Sequence, residues 1–215
     1  DGMKERGGER CFSPERSGKG LLMNHPVGVS FPSWEELPSG DMRQSAVLVP
    51  LFPSGDELRI LFLRRSPHLS RHGGEICFPG GMKDADDLSP LHTALRETEE
   101  ETGISREAVE PLLLLPPEYT VVSNVEVFPV LGIVSGVDPE RGLALSPSEI
   151  AASYSVDIAL FPAEPRRKEI LFPSFTKGMR ESREHTVSYP EYDLPDGSVV
   201  WGVTARILEK VCRLL

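Results

Sequence analysis

Residues 78–104 read FPGGMKDADDLSPLHTALRETEEETGI, and this stretch decides the fold. The Gly80-Gly81 pair reads as a turn leading into a helix over residues 89–102. Ser89 can cap that helix, Pro90 suits its first turn and Gly103 suits its stop. At about 100° per residue, Leu91, Ala94, Leu95, Thr98 and Thr102 share one stripe that should face a core. Glu97, Glu100 and Glu101 fall together beside that stripe, whereas Arg96 and Glu99 point elsewhere. Like charges at this spacing repel by roughly 0.2–0.5 kcal/mol per pair. Near a helix C-terminus they also oppose the macrodipole. A helix that accepts both costs offers its carboxylates to a cation. Mg²⁺ and Mn²⁺ suit hard oxygen donors and keep positions open for water and phosphate. A bare acidic cluster is more often a solvated face; the residues around this one distinguish it.

The surroundings are specific. The glycine pair, Arg96-Glu97, Glu100-Glu101 and Gly103-Ile104 together resemble the Nudix box, the signature of hydrolases acting on nucleoside diphosphates linked to another group. Thr98 stands where an aliphatic residue is usual. The spacing after Gly81 is one residue longer than the general pattern, and of Asp84, Asp86 and Asp87 the last is nearest the box's first acidic position. Upstream, residues 61–81 (LFLRRSPHLSRHGGEICFPGG) resemble the extra signature of the coenzyme A diphosphatase branch of that family. Leu61, Arg65, Ser66, Gly74, Phe78, Pro79, Gly80 and Gly81 hold its register, while its second arginine falls on Ser70, with Arg71 next. Residues 125–132 and 201–208 are similar to a central strand and a closing strand–helix junction of the same branch, so the likeness spans roughly residues 43–215.

That resemblance implies an α/β fold, a Nudix-type α/β/α sandwich with a mixed central sheet. It implies metal-dependent hydrolysis of the diphosphate linkage of coenzyme A or its derivatives, giving 3′,5′-ADP and 4′-phosphopantetheine. Mg²⁺ or Mn²⁺ would be held by Glu97, Glu100 and Glu101, with Glu97 and Glu101 the direct ligands and Glu100 a ligand or a base. Arg96 would orient a carboxylate or pair with Glu100. Arg65 and Arg71 would hold phosphate, and Gly80 and Gly81 would let backbone approach the substrate. Glu149 and Glu126 are further candidate bases, and His68 and His72 further phosphate contacts. The alternatives are a Nudix hydrolase of ADP-ribose, a nucleotide sugar, a dinucleotide polyphosphate or capped RNA, and a non-catalytic nucleotide-binding regulatory module.

Bulk properties agree. With 215 residues and 39% hydrophobic content, the chain can bury one good core. It reads as an N-terminal extension over residues 1–40, flexible over 1–20, and a hydrolase domain over 41–215. Thirty-three acidic residues against 23 basic give a net charge of −10, which argues against general nucleic-acid binding. Within that acidic chain Arg64, Arg65, His68, Arg71 and His72 form a basic island. Guanidinium forks of this kind pair with phosphate oxygens, and the resemblance makes the expected partner a small nucleotide of the coenzyme A class. Cys11, Cys77 and Cys212 have no metal-ligand spacing and suggest free thiols in a reducing, intracellular compartment, whether cytoplasm, mitochondrion or peroxisome. Cys77 reads as a small buried residue and not a nucleophile. No apolar stretch approaches membrane-spanning length. Strands are expected over residues 46–52, 58–64, 76–78, 112–115, 119–123, 125–134, 184–189 and 198–201, with a last helix over 203–215. Residues 148–160 are ambiguous, and 162–169 read as a charged connection.

Overall fold

The computed structural model describes residues 30–38, 40–120, 123–174 and 183–215; the tail over residues 1–20, with Cys11, lies outside them. Strands β1 (Arg43–Ser54) and β2 (Glu57–Arg65) form a hairpin turned at Gly55, whose φ of 61° favours glycine. Short strands β3 (Ile76–Cys77) and β4 (Gly80–Met82) lead to helix α1 (Pro90–Thr102). Then come β5 (Val109–Leu114), β6 (Glu118–Thr120), β7 (Val125–Val134) and β8 (Ile150–Asp157). Strands β9 (Arg166–Ser174), β10 (Arg183–Asp193) and β11 (Val199–Val200) precede the closing helix α2 (Gly202–Leu214).

Among the described residues eight strands make the main sheet, its spine ordered β3-β2-β1-β7-β5, with β4 on β1, β6 on β7 and β8 on β2. β1 and β7 run parallel while the other pairs are antiparallel, so the sheet is mixed. β9, β10 and β11 form a second, smaller sheet. The period of two sorts the main strands between two cores. On one face Val49, Leu51, Ile60, Phe62, Leu131 and Ile133 meet Ala205, Ile207, Leu208 and Val211 of α2. On the other Ala46, Leu48, Leu61, Leu63, Phe128 and Val130 meet Ala94 of α1. The expected α/β/α sandwich with a mixed central sheet is therefore present.

Three local expectations are corrected. Gly80-Gly81 is not a turn; it is strand β4, with Gly80 opposite Val47 and Gly81 opposite Ala46. The ambiguous segment is strand β8, drawn out by its pairing with β2. Residues 166–169 are not a connection but the start of β9. Their charges face partners across the strand pair, Arg166 with Glu191 and Asp193, and Lys168 with Glu191. Opposite charges stabilise a sheet in this way. Among the described residues no helix is long and apolar enough to cross a membrane.

Candidate active site

Helix α1 begins and ends as its sequence requires. The Ser89 hydroxyl accepts the His92 N–H, Pro90 opens the first turn, and Gly103 closes the helix at φ 71°. The buried face is rotated from the expected stripe. It carries Pro90, Thr93, Ala94, Thr98, Glu101 and Thr102, with Leu91 and Leu95 only half-buried. Glu101 thus lies on the packed side of the helix and is 1% exposed. Burial of a carboxylate demands compensation, and strand β4 supplies it: the Gly80 N–H donates to Glu101 Oε2 at 2.9 Å. Arg65 Nη1 stands 3.7 Å from Glu101 Oε1. A register shift in β2 between Arg64 and Arg65 separates these neighbours. Arg64 goes to Asp196, Ser198 and the Tyr154 ring, while Arg65 goes to Glu101.

The glycines of β4 make room. A Cβ on Gly81 would overlap the Glu97 carboxylate, and one on Gly80 would overlap the backbone of Ala46 and Val47. Glu97 and Glu101 therefore sit against β4, on the wall of a cleft of about 670 Å³. Arg65, Arg71, His72, Gly80, Gly81 and Glu149 line the same cleft. Its far side is apolar and aromatic: Val125, Val127, Tyr119, Tyr189, Trp201 and Ile207. Arg206 pins that wall, donating to Glu118 Oε2 and the Tyr119 carbonyl, both at 2.6 Å.

The other candidates are placed less centrally. Glu100 is 58% exposed and does not line the cleft. Glu126 and His68 are not among the lining residues either, and neither is Ser70, whereas Arg71 is. The expectation that Arg96 points elsewhere is overturned. Arg96 Nη1 donates to Glu97 Oε1 at 2.9 Å and to Glu100 Oε2 at 3.3 Å. Its other nitrogens donate to Asp87, Nη2 to Oδ2 at 2.8 Å and Nε to Oδ1 at 3.1 Å. A long guanidinium reaches back across its own helix face, which a Cα-based wheel does not show. Asp87, the nearest match to the box's first acid, is buried behind Arg96 and orients it. The sequence does not single out Tyr119 or Arg43; both reach the cleft through strand pairing with β7, and neither carries a motif signal.

Electrostatics sharpen the arrangement. Burial pushes the Glu101 carboxyl up to about 7; the Gly80 N–H and Arg65 pull against it, and Glu97 and Glu149 add to the rise. Burial also raises Glu97, against Arg96 and with Glu100 and Glu149. Burial would raise Asp87 as well, but hydrogen bonds from Arg96, the Asp84 N–H and Thr93, with the Arg96 charge, bring it down to about 2. Arg96 is held firmly protonated, chiefly by Asp87. Cys77 is pushed up to about 12 by burial and then by Glu101, so its thiol stays protonated. Asp87 gives a direct expectation. Its native pKa lies below the ordinary 3.8, so its stabilisation is complete above that value and is lost as pH falls towards 2. Asp87→Asn should cost about 2 kcal/mol at neutral pH, with the gap narrowing below pH 4; urea unfolding at stepped pH measures it.

Among the described residues no three His, Cys, Asp or Glu side chains converge into a ready-made ion cage. The donor chemistry nevertheless fits a hard divalent cation. Glu97, Glu101 and Glu149 are carboxylates on one cleft, and the Glu149 charge adds to the rise of both Glu97 and Glu101. Mg²⁺ in particular binds through one or two carboxylates plus waters and substrate phosphates, without a closed cage.

Comparison with known proteins gives the family. The NUDIX domain profile matches residues 42–172. An uncharacterized Nudix hydrolase, NudL, of Klebsiella pneumoniae is 34% identical over 171 residues, spanning 80% of this chain and 82% of its own. Its namesake from an Enterobacter species is 33% identical over 169 residues, with 79% and 81% covered. A solved MutT/nudix family protein from Enterococcus faecalis is 21% identical, with a TM-score of 0.48 over 83% of this chain and 64% of that one. The profile takes in more than half of the chain and these relatives about four fifths of it, so the chain belongs to the Nudix family, hydrolases of nucleoside diphosphates linked to another group.

Proposed function

We propose that the cleft cleaves the diphosphate bond of a nucleoside diphosphate derivative in a reaction dependent on Mg²⁺ or Mn²⁺, and that coenzyme A is the first substrate to test. The observation that carries the general reading is the meeting of Glu97 and Glu101 with Arg65 and Arg71 on one cleft wall, built on the two glycines of β4. The relatives' names specify no substrate. The coenzyme A reading rests instead on the 61–81 register and on Arg71, which lines the cleft where Ser70 does not.

Glu97 and Glu101 are the groups that would hold the cation. When bound, a hard divalent cation supplies positive charge at the diphosphate and makes water a better nucleophile. The chain's own residues do the rest. Arg96, fixed by Asp87, keeps the Glu97 carboxylate against β4. Without a cation, burial lifts the Glu101 carboxyl to about 7; beside a divalent cation it would stay ionised, so its part is that of a ligand. Arg65, beside Glu101 at the deep end, neutralises the diphosphate. Arg71 and His72, exposed at the mouth, meet an outlying phosphate. The aromatic wall takes the organic part of the substrate, and positioning and electrostatics supply most of the acceleration.

The test is product mass spectrometry in ¹⁸O water over coenzyme A, dephospho-coenzyme A, ADP-ribose, a nucleotide sugar, a dinucleotide polyphosphate and capped RNA. The expected result is 3′,5′-ADP and 4′-phosphopantetheine from coenzyme A with Mg²⁺ or Mn²⁺, and no cleavage in chelator. Arg65→Ala should slow every substrate alike. Arg71→Ala should slow coenzyme A about tenfold more than dephospho-coenzyme A, the loss of one charge-assisted phosphate contact. Faster cleavage of another compound would replace coenzyme A and leave the family reading standing. Nucleotide binding without cleavage under either metal would point to a regulatory module.

A further inference from the structure

We propose that the segment preceding the NUDIX match positions Glu97 through a buried hydrogen-bond relay that starts at the indole of Trp34; this rests on the reading of Glu97 as a cation ligand. Trp34 lies outside residues 42–172 and does not line the cleft. It nonetheless stands at the head of a continuous chain of polar contacts. Trp34 Nε1–H donates to Thr93 Oγ1 at 3.3 Å. The Thr93 hydroxyl donates to Asp87 Oδ2 at 2.9 Å. Arg96 donates to both oxygens of Asp87, and its Nη1 donates onward to Glu97 Oε1 at 2.9 Å. Trp34 and Asp87 are each 5% exposed and Thr93 is 0% exposed, so water does not compete along the inner half of this path.

The indole N–H has a defined task. The Thr93 hydroxyl has two acceptors within reach, Asp87 Oδ2 at 2.9 Å and the Ser89 carbonyl at 3.4 Å. A donor arriving at its lone pair polarises the hydroxyl and strengthens its own donation, as in any cooperative chain. Without that donor a buried lone pair is left unsatisfied and the hydroxyl is less firmly committed to Asp87. Asp87 in turn is the anchor that aims a guanidinium shared among Asp87, Glu97, Glu100 and the Met82 carbonyl. A small rotation of Arg96 therefore moves the Glu97 carboxylate.

Trp34 is itself held by contacts independent of the relay. Its backbone N–H donates to the Leu88 carbonyl at 3.0 Å. Its ring stands edge-to-face on Phe128, centroids 5.1 Å apart at 88°, and Lys83 Nζ lies 5.0 Å from the ring centroid. Trp34→Phe therefore retains most of the ring packing while deleting the N–H. In this account Trp34 and Thr93 are positioning residues, and neither touches substrate.

The experiment uses the full chain and four proteins: the parent, Trp34→Phe, Thr93→Val and Thr93→Ser. Mn²⁺ affinity is measured without substrate by electron paramagnetic resonance, alongside kcat and KM. A group that touches a ligand's partner typically changes metal affinity or activity by roughly 10–100-fold. One step further out, Trp34→Phe should weaken Mn²⁺ binding and lower kcat by about three- to tenfold, with KM unchanged. Thr93→Val should follow it, and Thr93→Ser, which restores the hydroxyl, should return most of the loss. Should Trp34→Phe fold poorly, the two Thr93 variants decide between the outcomes. A Trp34→Phe protein that matches the parent in Mn²⁺ affinity and kcat overturns the relay, as does a Thr93→Ser no better than Thr93→Val. A parent that binds no Mn²⁺ and cleaves nothing overturns the metal reading itself.

Discussion

Glu101→Gln should lower kcat by about 10³-fold, and in chelator above pH 7 it should be more stable than the parent. Both effects have one cause. The Glu101 carboxyl is 1% exposed and accepts the Gly80 N–H, so its charge is expensive in the absence of a cation. Burial first, then Glu97 and Glu149, lift it from the ordinary 4.5 to about 7. The native state thus binds this proton more tightly than the unfolded chain. Below about pH 4.5 the group is protonated in both states and its contribution to stability is complete. As pH rises through 7 the native carboxyl must ionise, and about 3 kcal/mol is lost. Glutamine keeps an acceptor for Gly80 and cannot ionise, so the variant escapes that loss; the two proteins should converge near pH 4.5. What it forfeits is the charge that a cation would meet. Urea unfolding at pH 4.5 and pH 8 and a single-substrate rate assay measure the two halves. A variant that cleaves as fast as the parent would remove Glu101 from the mechanism.

Alanine at the two adjacent glycines of β4 should produce opposite kinds of damage. At Gly81 the new Cβ meets the carboxylate of Glu97, the far end of a flexible side chain. The chain can yield there, so Gly81→Ala should unfold within about 1 kcal/mol of the parent. Glu97 is displaced, however, and misplacing an active group by about 1 Å costs about 10²-fold in rate. At Gly80 the new Cβ meets the backbone of Ala46 and Val47, and the φ of 151° adds strain. Backbone cannot yield locally, so Gly80→Ala should lose about 2–5 kcal/mol, with the remaining folded fraction retaining a functional Glu97. Thermal melts and kcat per folded molecule separate the two. Equal stability losses at both positions would contradict the geometry of β4 described above.

Much of this was legible without coordinates because it depends on short-range rules. Strand β7 runs over residues 125–134 as expected, since its residues are apolar on both faces of a sheet covered on both sides. Helix α1 starts at Ser89-Pro90 and stops at Gly103, because capping depends on neighbours a few positions away. The grouping of Glu97 and Glu101 with Arg65 and Arg71 was what the resemblance to the Nudix box and the upstream signature implied. The errors have a different character. The charged residues 166–169 looked like loop because the acids that pair with them come from β10. Gly80-Gly81 looked like a turn because the strand that straightens it is β1. Arg96 fell off the glutamate edge of the helix wheel although the resemblance gave it a carboxylate to orient; Asp87 and Glu97 set its direction.

A chain read in one dimension carries its periodicities, its caps and its spacing of charges, which gave strands, an acidic helix and a basic island; the resemblance to the Nudix box supplied the α/β/α sandwich. Which of three similar glutamates is buried, and what aims it, was settled elsewhere. Glu101 is the buried one because the Gly80 amide lies 21 residues away in sequence and 2.9 Å away in space. Trp34 reaches Thr93 across 59 residues. Desolvation and its compensating hydrogen bonds depend on which distant segments pack together, and no local pattern encodes that.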